Sequence, residues 1–163
     1  MITVAHRGVF FPKDKQNTYA GVCALNKKDV DMVEIDVRYS TDRKVVLCHD
    51  RECRNERKND NLLSFLNKCF DIPIMLDIKA FGILEAQRLA RSVVDILSKS
   101  QHKNGWLCSF NEYCVAELVV DSRERPERRP RVSSGSDFRG NSVRHVQPFR
   151  QHRLCLAGLQ LCV

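Results

Sequence analysis

The chain of 163 residues is 43% hydrophobic and 29% charged, with 7 Gly and 5 Pro. That balance fits one domain with a sizeable core and excludes a collagenous, mucin-like or wholly disordered polymer. No stretch approaches the roughly 18 apolar residues that span a bilayer. The opening Met1-Ile2-Thr3-Val4-Ala5 lacks the succession of a secretory signal, so a soluble, cytoplasmic protein is expected.

In chain order, a short β-prone run, Ile2–Ala5, ends at His6-Arg7-Gly8. Asn17 or Thr18 can cap a helix carrying Tyr19, Val22, Cys23 and Leu25 near one face. Met32–Arg38 alternates strictly, and Lys44–His49 follows after a turn at Thr41-Asp42-Arg43. Asn61–Phe70 reads as a short helix and Pro73–Lys79 as a strand. Gly82–Ser100 is the clearest helix, with Ile83, Ala86, Leu89, Ala90, Val93 and Leu97 at three- and four-residue steps. Gly105–Phe110 then reads as a strand and Asn111–Val120 as a helix. This alternation predicts an α/β protein with a parallel sheet.

Past residue 120 the chain changes character. Of the net charge of +7, most resides in 121–163, where all nine Lys or Arg positions are Arg, and the stretch 121–136 has no apolar period. Such a segment cannot bury enough surface to offset its ordering entropy. We therefore expect a domain over 1–120 and a disordered, arginine-rich tail over 121–163. The tail reads either as a solvated end or as an arm for an acidic partner or anionic membrane. Its few aromatics (Phe138, Phe149) and lack of a recognisable motif speak against nucleic acid. The closing Leu154–Val163 is too short to span a membrane, and can pack on the domain or cause association.

The eight cysteines include no Cys-x-x-Cys pair, and no paired His spacing completes a zinc site. They are expected to be reduced. Cys48 and Cys108, inside apolar runs, should behave as small hydrophobes.

The strand Val33–Arg38 is the most informative segment. Side chains alternate across a strand, so Val33, Ile35 and Val37 share one face, and Glu34, Asp36 and Arg38 the other. Two adjacent acids repel unless a cation or proton lies between them. Hard oxygen donors favour Mg²⁺ or Ca²⁺ over Zn²⁺. The competing reading is an antiparallel strand with both acids in water. His6 and His49 each close a β-rich run, and Asp77 and Lys79 share a face of theirs. Parallel α/β folds build their sites at the carboxyl ends of strands, which sets these residues apart from isolated surface groups.

The succession His6-Arg7-Gly8, Asn17-Thr18, Glu34-x-Asp36, His49-Asp50, Leu76-Asp77-Ile78-Lys79 and Ser109-Phe110 resembles the motif set of the glycerophosphodiester phosphodiesterase family over about residues 2–118. The resemblance implies a TIM-barrel fold and metal-dependent hydrolysis of small glycerophosphodiesters to glycerol 3-phosphate and an alcohol. It implies Glu34, Asp36 and Asp77 as metal ligands, with Mg²⁺ or Ca²⁺ as cofactor. His6 and His49 would be the general base and acid, in either order, and Arg7 and Lys79 would hold phosphate oxygens. A neighbouring glycerol hydroxyl is implied to attack first, giving a cyclic phosphate that water opens.

Gln16 and Asp77 stand where the family usually has Glu, and the connection from Asp50 to Pro73 is short. A TIM barrel takes roughly 250 residues, so an incomplete, C-terminally truncated barrel of about five strands is expected. Weak contact with a membrane surface is expected beside the small-molecule substrate, and two further readings follow: a sphingomyelinase D-like phospholipase, or an inactive member that binds an acidic partner or anionic membrane through its tail. The sequence carries no sign of oligomeric state.

Overall fold

The computed structural model describes residues 3–9, 13–51, 53, 60–69, 71–102 and 105–124, with three further short strands. The elements in order are β1 (Thr3–His6), α1 (Tyr19–Cys23), β2 (Met32–Tyr39), β3 (Val45–Leu47) and α2 (Leu62–Lys68). They are followed by β4 (Ile74–Ile78), α3 (Ile83–Lys99), β5 (Gly105–Cys108) and α4 (Glu112–Glu124). The last three strands are β6 (Arg131–Ser133), β7 (Arg144–His145) and β8 (Gln160–Cys162).

Four strands, β1, β2, β4 and β5, lie side by side and parallel. The sequence-based expectation of a parallel α/β sheet holds for these four. β3 differs: it folds back antiparallel onto the last residues of β2, Val37 opposite Leu47 and Tyr39 opposite Val45. A tight turn allows this, with Ser40 donating its amide to the Lys44 carbonyl at 2.9 Å and Arg43 at φ +61°. The hairpin matters because it runs back from the carboxyl end of β2 and returns the residues after β3 to the side of Asp36.

The sheet is open among the described residues, in the order β6-β8-β5-β4-β2-β1-β7. β8 joins β5 antiparallel, and β7 joins β1 in parallel. α4 runs through the expected boundary at residue 120 to Glu124. Beyond it, apart from β6, β7 and β8, the arginine-rich segment expected to be a tail lies outside the described residues.

Val33, Ile35 and Val37 are fully buried against Phe65 and Leu66 of α2 and Leu89, Ala90 and Val93 of α3. The predicted stripe of α3 is the observed one except at Ile83, which is 48% exposed because the first turn overhangs the carboxyl rim of the sheet. The opposite face of β2 is also closed: Glu34, Asp36 and Arg38 are all buried. Burial on both faces is the rule for parallel sheets, and it excludes the competing picture of acids standing in water.

Gly21 shows how tightly the loop before α1 is drawn in. A Cβ there would lie 2.1 Å from the Lys15 carbonyl oxygen, a backbone atom that cannot yield cheaply. The same carbonyl accepts from Thr18 Oγ1 at 2.7 Å, and Thr18 Oγ1 in turn caps the helix through the Gly21 amide. Gly21→Ala is therefore expected to destabilise the chain by about 1–3 kcal/mol, as overpacking does, with a lower urea midpoint as the readout. An unchanged midpoint would show that the loop is not held in this way.

Candidate active site

β-sheet register assembles the site. His6 on β1 is paired with Glu34 on β2, and Asp36 on β2 with Asp77 on β4. Paired residues of adjacent strands lie about 4.8 Å apart and point to the same side. One carboxylate oxygen from each of Glu34, Asp36 and Asp77 accordingly falls within 4.8 Å of the others, and all three residues are buried.

Cations surround this cluster. Arg7 Nε lies 3.1 Å from Asp36 Oδ2, and Lys79 Nζ lies 3.1 Å from Asp36 Oδ1 while also pairing with Asp77 Oδ2. Arg7 has φ +57°, a left-handed conformation that costs energy in a residue with a Cβ. The turn directs its amide to Glu34 Oε2 at 2.9 Å. His6 Nε2 stands 3.7 Å from the same oxygen.

Asn17, read from sequence as an alternative helix cap, has a different task. Thr18 is the cap. Asn17, also left-handed at φ +53°, donates Nδ2 to Asp36 Oδ2 and accepts the Asp36 amide on Oδ1, both at 2.9 Å. It thus fixes the rotamer of the central carboxylate. The signal was present in the motif, but a side chain reaching a strand 19 residues away is invisible to local pattern.

His49 follows β3, where the Cys48 amide donates to the Asp36 carbonyl at 3.0 Å. Its Nδ1 is 3.0 Å from Asp50 Oδ1, and that hydrogen bond holds the Asp50 carboxyl below its ordinary range. His49 lies close enough to lower the Asp77 pKa. Lys79 is placed by its own amide, which donates to the Val37 carbonyl at 2.8 Å. The β5–α4 turn supports the same loop through Ser109 Oγ to the Ile78 carbonyl, 2.7 Å, and Asn111 Nδ2 to the Ala80 carbonyl, 3.2 Å. All seven residues predicted from sequence therefore meet at the carboxyl ends of β1, β2, β3 and β4.

The electrostatics are those of a crowded acidic site. Burial, with the Asp36 charge adding to it, pushes Glu34 up to about 8. Burial also raises Asp77, against the pull of Lys79. Burial lowers Lys79, but Asp77 and Asp36 outweigh it and the ammonium is held above its ordinary value. Asp77 Oδ1 is buried without a hydrogen-bond partner. A desolvated carboxylate oxygen of this kind needs a cation. Three hard oxygen donors at this spacing fit a divalent ion of the Mg²⁺ or Ca²⁺ type.

The cysteines take no part in the cluster. The six described ones are free. Cys48 and Cys108, read from sequence as small hydrophobes, are half-exposed, because Cys48 falls beyond the end of β3 and Cys108 on the less covered face of β5. Cys53 and Cys69 are instead buried, and burial pushes both thiols up to about 12. Among the described residues, no helix is long and apolar enough to cross a membrane.

No protein-family model matches the sequence, and no curated protein does. Solved structures do match. A glycerophosphodiester phosphodiesterase of Parabacteroides distasonis is 18% identical over 77% of this chain and 62% of its own, with a TM-score of 0.64. A phosphodiesterase of Oleispira antarctica, in complex with the product sn-glycerol-3-phosphate, is 19% identical over 74% of this chain and 62% of its own, at 0.62. The glycerophosphodiester phosphodiesterase of Thermotoga maritima is 23% identical over 73% and 58%, at 0.56. The chain thus spans about three-fifths of the length of the structures it matches. It has the fold of part of a glycerophosphodiester phosphodiesterase barrel.

Proposed function

We propose that this chain carries the catalytic site of a metal-dependent hydrolase that converts small glycerophosphodiesters to glycerol 3-phosphate and an alcohol. The observation that carries the reading is the buried Glu34–Asp36–Asp77 cluster, flanked by two imidazoles and two cations at one end of a parallel sheet. Glu34, Asp36 and Asp77 would hold Mg²⁺ or Ca²⁺, which when bound neutralises charge on the phosphate oxygens.

The chain's own residues supply the rest. Arg7 and Lys79 bring two positive charges to the cluster, and charge-assisted donors suit the oxygens of an anionic diester. His6, beside Glu34, and His49, oriented through Asp50, would serve as the general acid and base. One would take the proton from the attacking hydroxyl, and the other would give one to the departing alkoxide. The six free thiols fit a reducing compartment, in keeping with a cytoplasmic enzyme.

The test is release of glycerol 3-phosphate from glycerophosphodiesters by the purified chain, with and without divalent metal. Metal-dependent release that a chelator abolishes is expected. No release from a chain that circular dichroism shows to be folded would overturn the reading and leave a binding role.

A further inference from the structure

Arg38 shares the inner face of β2 with Glu34 and Asp36, one step nearer the carboxyl end, yet nothing in the proposed reaction uses it. It is 5% exposed. Its Nη1 donates to the Asp50 carbonyl at 2.5 Å, while its Nε is buried without a hydrogen-bond partner. The guanidinium lies 5.3 Å from the centre of the Phe81 ring, and that of Arg51 lies 4.8 Å from the same ring. Phe81 itself is half-exposed, on the loop after β4 and two residues past Lys79.

Two guanidinium groups thus converge on one phenyl ring at the mouth of the site. Among the described residues no carboxylate lies within ion-pair distance of either. Asp50, which Arg38 influences, turns its Oδ1 to His49 instead. A buried guanidinium is costly to leave uncompensated, and stacking on the Phe81 ring offsets only part of that cost. With Nη1 engaged, the side of the Arg38 fork that includes Nε remains, and that planar edge matches two carboxylate oxygens.

Resting on the hydrolase reading, we infer that Arg38 and Arg51, braced on Phe81, form a second anion subsite that takes a carboxylate carried by the alcohol half of the diester. The subsite sets specificity and takes no part in the bond-breaking step. A carboxylate two or three bonds beyond the ester oxygen would lie beside β2, next to the phosphate that Arg7 and Lys79 would hold.

Glycerophosphoserine and glycerophosphoethanolamine differ only by that carboxylate and make the probe. The full chain with Mg²⁺ is expected to show a kcat/KM about tenfold or more higher for the serine diester, the scale of one hydrogen-bonded charge pair. Arg51→Gln, an exposed position, should reduce this preference several-fold while turnover of the ethanolamine diester stays as it was. Arg38→Lys should reduce it further, because an ammonium cannot replace the planar fork. Equal kcat/KM for the two diesters, or a preference that survives both substitutions, would overturn the subsite. If neither diester is cleaved, the hydrolase reading fails, and equilibrium binding of the same two compounds decides the subsite. Tighter binding of the serine compound that Arg51→Gln abolishes supports it, and equal binding overturns it.

Discussion

Glu34→Gln is expected to abolish metal-dependent turnover and, in the metal-free protein, to make the fold more stable near pH 8. Both effects have one cause. Glu34 is buried beside Asp36, and burial together with the Asp36 charge raises its folded pKa from the ordinary 4.5 to about 8. Between those values the folded chain keeps a proton that the unfolded chain has lost. Stability from this group is therefore present at low pH and falls as pH rises through the window, by up to about 1.4 kcal/mol per unit. Asp77, also raised, adds to the same trend. A neutral Gln of the same shape removes the Glu34 part.

Bound divalent metal should reverse the trend in the wild type, because it stabilises the ionised carboxylates and binds only the folded chain. In Glu34→Gln that stabilisation should be largely lost, and kcat with it, by about 10³-fold or more if the metal supplies several kcal/mol of charge stabilisation. The measurement is the urea midpoint at pH 5.5 and pH 8, with chelator and with Mg²⁺, for both proteins. A metal-free wild type with the same pH dependence as Glu34→Gln would show that Glu34 is not the strained acid of the cluster.

Much of this site is legible in the sequence because it is written in strand period. Alternation alone places Glu34 and Asp36 together and opposite to Val33, Ile35 and Val37, and the burial of both faces follows from the parallel sheet. What period cannot give is register. That Asp36 meets Asp77, and His6 meets Glu34, depends on how strand residues separated by 41 and 28 positions align. The antiparallel return of β3 is likewise set by a turn that a string of apolar residues does not reveal. Asn17 and Gly21 were hidden for another reason. Their work lies in one long-range hydrogen-bonded pair and one close backbone approach, and neither has a periodic signature. The α3 stripe was right where the sheet lies beneath it, and failed at Ile83, where the helix overhangs the rim.

His6→Ala and His49→Ala should each lower kcat by about 10²–10⁴-fold, the range of a general acid or base, while metal-dependent stabilisation is kept. That second readout separates them from Glu34→Gln. The two imidazoles are equally exposed, at 43% each, but their partners differ: His6 faces the buried Glu34 carboxylate, and His49 the exposed carboxylate of Asp50. The one that serves as acid can be identified through the leaving group. A diester with a nitrophenolate leaving group departs as a stable anion and needs no proton, whereas a choline or ethanolamine alkoxide does. Replacing the acid should therefore cost far less with the nitrophenyl diester than with the natural alcohols, and replacing the base should cost about the same with both. The double variant should be little worse than the more damaging single one, since proton delivery and removal serve one step. If both single variants show equal losses with both classes of diester, neither histidine protonates the leaving group, and the acid must be sought elsewhere, with Lys79 the next group to replace. If neither variant loses activity, the imidazoles are bystanders and the acidic cluster works without them.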